Sequence, residues 1–352
     1  EMDLELAWQD DAGQDHSETV RLSKPTEIIY LKMDEPKHVI LDPHMKSLFE
    51  ADFNPGDDKL RHLLANGKTV RGIMQAVSEL AKTGKRKNLR AIRDYLENEK
   101  RWGLRIHAYR SLGEVGNDYA YTHLAELLIL EKDPMVIEAA AIACGAHKAV
   151  ALRNALLEKL TQKDLPYRGQ MMLLSSLGKQ ENAADIDILT TYSQKDGWRN
   201  LVKAGAFAGL GASRNADAVQ TLLDGFEKPV QFYDEKVFRV MALANLKGWL
   251  EPHLQKQVSQ AICEATEDLS YPVQINAARQ LGTAKIATGI PYLNALMTRL
   301  PVQDYPLVKR QIQAIQASSD GSADKKLQKQ LDELKEKMSD MEKRLQEVET
   351  EK

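Results

Sequence analysis

The sequence is poor in nearly everything that marks a chemistry. Only two of its 352 residues are cysteine, Cys144 and Cys263. They lie far apart, each inside an apolar helical pattern, where the expected role is a small buried side chain rather than a disulfide or a ligand. No run of about 18 apolar residues could span a bilayer, and the start of the chain lacks the basic and apolar regions of a secretion signal. The expectation is a soluble, cytoplasmic chain with no membrane partner. Charge of one sign is missing too, because 48 Lys and Arg nearly balance 51 Asp and Glu, a net charge of -3. Such a balance sets up no field that recruits nucleic acid or acidic lipid.

The motifs of catalysis are equally scarce. The eight histidines, His16, His38, His44, His62, His107, His123, His147 and His253, include no H-E-x-x-H, no H-x-x-x-H and no cysteine neighbour, so no metal site is expected. There is no G-x-x-x-x-G-K-[ST] and no G-x-S-x-G. The stretch "GLGASRN" at 209–215 ends an apolar helix with no strand before it, which is the wrong setting for a phosphate loop. The basic cluster Lys82, Lys85, Arg86, Lys87, Arg90 and Arg93 has no interleaved aromatics and reads as a solvated face. Asp185 and Asp187 fall in a repeat loop with no evident catalytic partner. No catalytic residue, metal ligand or cofactor site is therefore expected in this chain.

What is present is organisation. With 43% hydrophobic residues the chain can build a core of more than one domain. The first 40 or so residues alternate as strands do: "LELAW", "ETVRLS", "TEIIYLKM" and "KHVILDP", with turn chemistry at "DDAG". Four strands suggest part of an antiparallel, Ig-like sandwich over residues 1–53.

From residue 54 a short apolar helix ending in a small residue recurs: "IMQAVSELA", "RIHAYRSLG", "IEAAAIACG", "QMMLLSSLG", "KAGAFAGLG", "RVMALANLK" and "QINAARQLG". They end at Ala81, Gly113, Gly145, Gly178, Gly211, Lys247 and Gly282, successively 32, 32, 33, 33, 36 and 35 residues apart. That interval is the length of one helical hairpin. Five residues before each end sit Ala76, Ala108, Ala140, Leu173, Ala206, Ala242 and Ala277, small where helices must approach. One before the end sit Leu80, Leu112, Cys144, Leu177, Leu210, Leu246 and Leu281. The pattern predicts an α-solenoid of about seven HEAT-like hairpins over 54–316. Two finer expectations follow: that the terminal glycines supply a left-handed cap, and that Leu173, flanked by Met171 and Met172, marks looser packing.

A linker at 317–323 leads to a third pattern over 324–352. Leu327, Leu331, Leu334, Met338, Met341, Leu345 and Val348 alternate four and three apart, the seam of a coiled coil. Lys337 with Glu342 and Arg344 with Glu349 would pair across a parallel dimer, so a homodimer through 324–349 is expected.

The order of strands, then "VILDPHM", then helical repeats resembles the C-terminal part of the aminopeptidase N family of zinc metallopeptidases, the gluzincin aminopeptidases. Val39, Ile40, Leu41, Asp42, Pro43, Leu48 and Phe53 match the family's junction between sandwich and helical domain, with Asp42 and Pro43 as its motif. "RWGLRIHAYRSLGEVGND" resembles a HEAT repeat of its microbial members. The resemblance covers residues 1 to about 316. It implies a non-catalytic portion that gates peptide substrates for a catalytic domain of the same protein. Zinc would belong to that domain, since H-E-x-x-H and G-x-M-E-N are absent here. On this reading the chain is a natural fragment, a truncated gene product or an excised part of a longer protein. The alternative is a free-standing HEAT scaffold that binds protein partners on its concave face and dimerises through the coil. A HEAT-type enzyme such as the bilin lyases is a third class, one for which no convergent acid, base or nucleophile is visible.

Overall fold

In a computed structural model, the residues described are 1–24, 26, 28, 30, 35–49, 51–224, 226 and 233–318. Contacts divide the chain into two units, Glu1–Ser213 and Arg214–Lys352.

The first unit opens with a three-stranded antiparallel sheet of β1 (Met2–Gln9), β2 (Asp15–Leu22) and β3 (His38–Leu41), in the order β2-β1-β3. Leu4 pairs with Val20 and Ala7 with Ile40. The strand expected from "TEIIYLKM" falls mostly outside the described residues. The described strands form one sheet, so the sandwich part of the expectation reduces to a small sheet. At the end of β3 the chain turns through Asp42, which is buried and left-handed (φ 46°), a conformation that Asp tolerates better than most residues. Its carboxylate accepts from the backbone N–H of Lys46 and of Ser47, both at 2.9 Å. Those two bonds hold its carboxyl below the usual range against the opposing cost of burial.

Ten helices follow in this unit: α1 (Asp57–Asn66), α2 (Val70–Lys82), α3 (Arg86–Asn98), α4 (Trp102–Gly113), α5 (Asp118–Leu130), α6 (Pro134–Cys144), α7 (Val150–Leu160), α8 (Tyr167–Gly178), α9 (Ile186–Tyr192) and α10 (Leu201–Ala212). They stack as five hairpins. The sheet sits on the first: Ile40 packs so closely on Gly72 of α2 that a Cβ there would lie 2.8 Å from its Cδ1, and His62 of α1 meets the Gln9 amide oxygen at 3.0 Å. The second unit continues the pattern with α11 (Ala218–Leu223), α12 (Tyr233–Lys247), α13 (Pro252–Glu264), α14 (Tyr271–Thr283), α15 (Ile290–Met297) and a helix over 305–318. The chain is thus mainly α, a solenoid of helical hairpins preceded by a small β part. The coil residues Leu327, Leu331, Leu334, Met338, Met341, Leu345 and Val348, and the linker before them, lie outside the described residues.

The two sequence columns are the core of the array. Every small-column residue from Ala76 to Ala277, and every residue of the leucine column, is essentially without exposed surface. The glycines do something other than expected. Gly113, Gly178, Gly211 and Gly282 lie within helices, and Gly145 ends one with φ -79°; none of the five is left-handed. Gly113, Gly145 and Gly178 are small because the next even-numbered helix touches them. A Cβ on Gly113 would sit 2.9 Å from Ala143 Cβ, one on Gly145 2.6 Å from Ser176 Oγ, and one on Gly178 2.0 Å from the Gly209 carbonyl oxygen.

The looser packing expected at Leu173 is also overturned. Leu173 is fully buried, and α10 compensates for its bulk with glycine. A Cβ on Gly205 would lie 2.5 Å from the Met171 backbone, and one on Gly209 2.6 Å from the Leu174 carbonyl. Within the first unit, small residues at the contacts draw the even-numbered helices together, as on the inner row of a superhelix of hairpins.

Candidate partner-binding surface

The inner row of the first unit consists of α2, α4, α6, α8 and α10, held parallel and in register. Besides the glycine contacts at their ends, Arg105 of α4 forks onto Glu131 (2.9 Å) and Asp133 (3.2 Å) just ahead of α6. Arg168 of α8 pairs in the same way with Glu138 of α6 at 3.0 Å through both its Nε and Nη2. The α2–α4 contact is made by His107, whose Nε2 lies 3.1 Å from the Met74 carbonyl and 2.9 Å from Ser78 Oγ. A carbonyl can only accept, so the ring carries its proton on Nε2. Burial holds His107 below its ordinary pKa and keeps it neutral.

Between these fixed points the inner row leaves apolar side chains part-exposed. Met74, Ile106, Met171 and Met172 are only partly buried, and Ile142 is 50% exposed. Around them stand Arg110, exposed, and Arg71, over the Phe49 ring at 5.7 Å. Where the loop after the sheet approaches this row, Leu41, Phe53, Arg71, Gln75, His107 and Arg110 help to line a cleft of about 380 Å³. The Gln75 amide nitrogen there is buried with no hydrogen-bond partner. The surface therefore mixes adaptable thioethers, aliphatics and guanidinium groups, the composition of a recognition face.

Asp42 and Pro43 form the turn between sheet and helices. His38 and His62 lie ring to ring at 5.5 Å, with burial and the nearby His62 lowering the His38 pKa. No group of three or more His, Cys, Asp or Glu that could hold a metal occurs among the described residues. The basic cluster is largely paired: Lys82 with Glu79, Lys85 with Asp57, Arg93 with Glu97 and Glu126, and Arg86 over the Tyr119 ring at 4.7 Å. Asp185 does have a partner, since Arg153 clasps its buried carboxylate at 2.6 and 2.8 Å, a link between α7 and the start of the next hairpin. Cys144 and Cys263 are buried free thiols, and burial pushes Cys144 up to about 12. A nucleophile would need the opposite shift. No helix is long and apolar enough to cross a membrane among the described residues.

Residues 58–145, which run from α1 to the end of α6, match the family model for HEAT repeats. No curated protein matches the chain. Among solved structures it is similar to human deoxyhypusine hydroxylase in complex with glycerol, at 13% identity and TM-score 0.33, covering 74% of this chain and 96% of that one. It is similar also to the complex of CpcE and CpcF of phycocyanin lyase from Nostoc sp. PCC7120, at 17% identity and TM-score 0.42, covering 72% and 98%. An engineered protein gives 15% identity and TM-score 0.32, covering 75% and 98%.

Proposed function

We propose that this chain is a HEAT-like scaffold that binds a protein partner on the inner helix row of its first unit. The observation that carries this reading is the set of part-exposed apolar side chains, Met74, Ile106, Ile142, Met171 and Met172, repeated on successive inner helices of an array whose alanine and leucine columns are buried. A folding core would bury such residues, and a surface that keeps them open gains by covering them with a partner. The coil pattern from Leu327 to Val348 would then pair two such scaffolds, and Asp at both Leu334 and Met341 would halve the mass in solution.

The test is capture on the immobilised chain, identification of the bound protein, and titration calorimetry of the purified pair. Ile142→Asp with Arg110→Glu is expected to weaken the complex at least tenfold while leaving the circular dichroism unchanged. A pair that cannot be reconstituted, or one indifferent to the double substitution, would sink the reading.

A second reading keeps the chain as the peptide-gating part of a zinc aminopeptidase, because a small sheet does hand over to helical repeats at Asp42 and Pro43. Aminopeptidase activity, with zinc, in a longer product of the same gene and not in this chain would favour it.

A further inference from the structure

The loops that lead into the inner helices share a feature that the helix ends do not display. Each carries a lysine: Lys68, Lys100, Lys132, Lys163 and Lys195, spaced 32, 32, 31 and 32 residues apart, and all five are exposed. A few residues after each lysine stands a large apolar side chain at the start of the helix: Val70, Trp102, Met135, Tyr167 and Trp198, each between 44% and 59% exposed. These starts are neighbours in space. Arg105 reaches Asp133 from one helix to the next loop, a Cβ on Gly169 would lie 3.1 Å from Ile137, and one on Gly197 would lie 3.2 Å from the Tyr167 ring. One edge of the first unit is therefore a ladder of five rungs, each a lysine beside an apolar group.

The charge of this edge is not cancelled locally, because its acids are mostly engaged elsewhere. Glu99 is held by Arg101, Glu131 and Asp133 by Arg105, and Asp196 by Lys203. Among the described residues Asp164 has no such ion pair. Lys68 pairs with Asp15 and Lys195 lies over the Tyr192 ring, whereas Lys100, Lys132 and Lys163 make no ion pair among the described residues.

Packed helices stand about 8 to 10 Å apart. A polyproline-type chain advances about 9 Å per turn of three residues and turns every third side chain to the same side. The two periods coincide.

Building on the scaffold reading, we propose that this edge docks an acidic, extended segment of a partner protein. The segment carries an apolar side chain at every third position and Asp or Glu between, and about thirteen residues cover the five rungs. Its apolar groups lie against Val70, Trp102, Met135, Tyr167 and Trp198, and its carboxylates face the lysines. A bilayer is the poorer fit, since it offers no period to match the rungs.

The probe is a fluorescein-labelled peptide of about fifteen residues built from Glu, Phe and Asp in strict rotation, titrated with the full chain and followed by anisotropy. We expect saturable binding that weakens as salt rises. It should weaken at least tenfold in the Trp102→Ala, Tyr167→Ala, Trp198→Ala triple variant, and as much in the Lys100→Glu, Lys132→Glu, Lys163→Glu variant. The same peptide with Lys for every acid should bind at least tenfold more weakly. All six positions are exposed, and circular dichroism checks that each variant folds. No saturable binding, equal binding by the variants, or equal binding of the basic peptide would overturn the proposal. So would attachment to phosphatidylserine vesicles through these residues in place of the peptide. If the partner captured on the inner face is lost with Ile142→Asp and Arg110→Glu but the acidic peptide never binds, the scaffold stands and the ladder falls.

Discussion

Between α8 and α10 two inner helices touch through their backbones; between α2 and α4 the equivalent pair meets through an imidazole. At the first seam Gly178, Gly205 and Gly209 leave no space for a Cβ against the facing backbone, and buried Leu173 occupies the position that alanine fills in the other repeats. At the second, Ala76 and Ala108 keep the small column and His107 bonds across to Met74 and Ser78. One repeat pattern thus permits two kinds of joint. Backbone contact fixes a joint by shape alone, while a bridging side chain makes its strength depend on protonation.

The largest effect is expected at the glycine seam. In Gly178→Ala the new Cβ meets a carbonyl oxygen, its carbon and a Cα, all within 2.4 Å, and neither backbone can yield without parting the helices. A loss of about 3 kcal/mol or more is expected, read as a fall in the urea midpoint. A midpoint unchanged from the parent would mean that the two seams are not different in kind.

The imidazole seam should respond to pH instead. Because burial depresses the His107 pKa in the folded chain, the unfolded chain binds the proton more readily. The stabilising effect of the neutral ring is then complete above about pH 6.5, the unfolded value, and is lost as pH falls toward the folded pKa. His38 and His123 are depressed in the same direction by burial, so the parent loses stability below pH 6.5 through all three. His107→Leu is expected to cost about 1 kcal/mol at pH 8 through the lost hydrogen bond and to flatten part of the acid slope. An acid slope identical to the parent's would remove His107 from the account.

How much of this was legible beforehand can be judged residue by residue. The alanine and leucine columns could be read because burial acts on every repeat alike, so the same residue type returns at the same phase. The glycines were legible as positions but not as causes. A glycine at a helix end has two physical uses, the left-handed cap and the close approach, and the sequence of one helix says nothing about the backbone facing it. Leu173 misled for the same reason, since its compensation is Gly205 and Gly209 one repeat further on. Arg153 with Asp185 lies 32 residues apart in sequence, close to one repeat, and Lys159, which donates to the Ile129 and Glu131 carbonyls at the end of α5, lies about as far from them. Pairings across a repeat are invisible to a search within helices. The lysine ahead of each inner helix is visible in the spacing, but a ladder on exposed loops leaves no mark in a hydrophobic pattern.

Gly113→Ala measures the comparison at an intermediate seam. Its Cβ would meet the Ala143 side chain at 2.9 Å and the Ala143 Cα at 3.0 Å, a crowding that a shift of a few tenths of an ångström relieves. Alanine also gains about 1 kcal/mol of helix propensity over glycine. The two effects oppose, so the midpoint should move by less than about 1 kcal/mol. A loss as large as that of Gly178→Ala would mean that the α4–α6 seam is as rigid as the α8–α10 seam.

The smallest effect, and the only gain, is expected from an imidazole that bridges nothing. His123 on α5 has both ring nitrogens buried without a hydrogen-bond partner; the Glu126 carboxylate lies 3.8 Å from Nδ1, beyond hydrogen-bonding distance. Its ring stands edge-on to Tyr119 at 5.4 Å. Phenylalanine keeps that aromatic contact and removes two unsatisfied polar atoms, so His123→Phe should stabilise the chain by about 1 kcal/mol. It should also take its share of the acid slope with it, because the depressed His123 pKa has burial as its largest cause. If His123→Phe instead costs as much as His107→Leu, the His123 ring is bridged after all, and the contrast between an imidazole that joins two helices and one that only fills space does not hold.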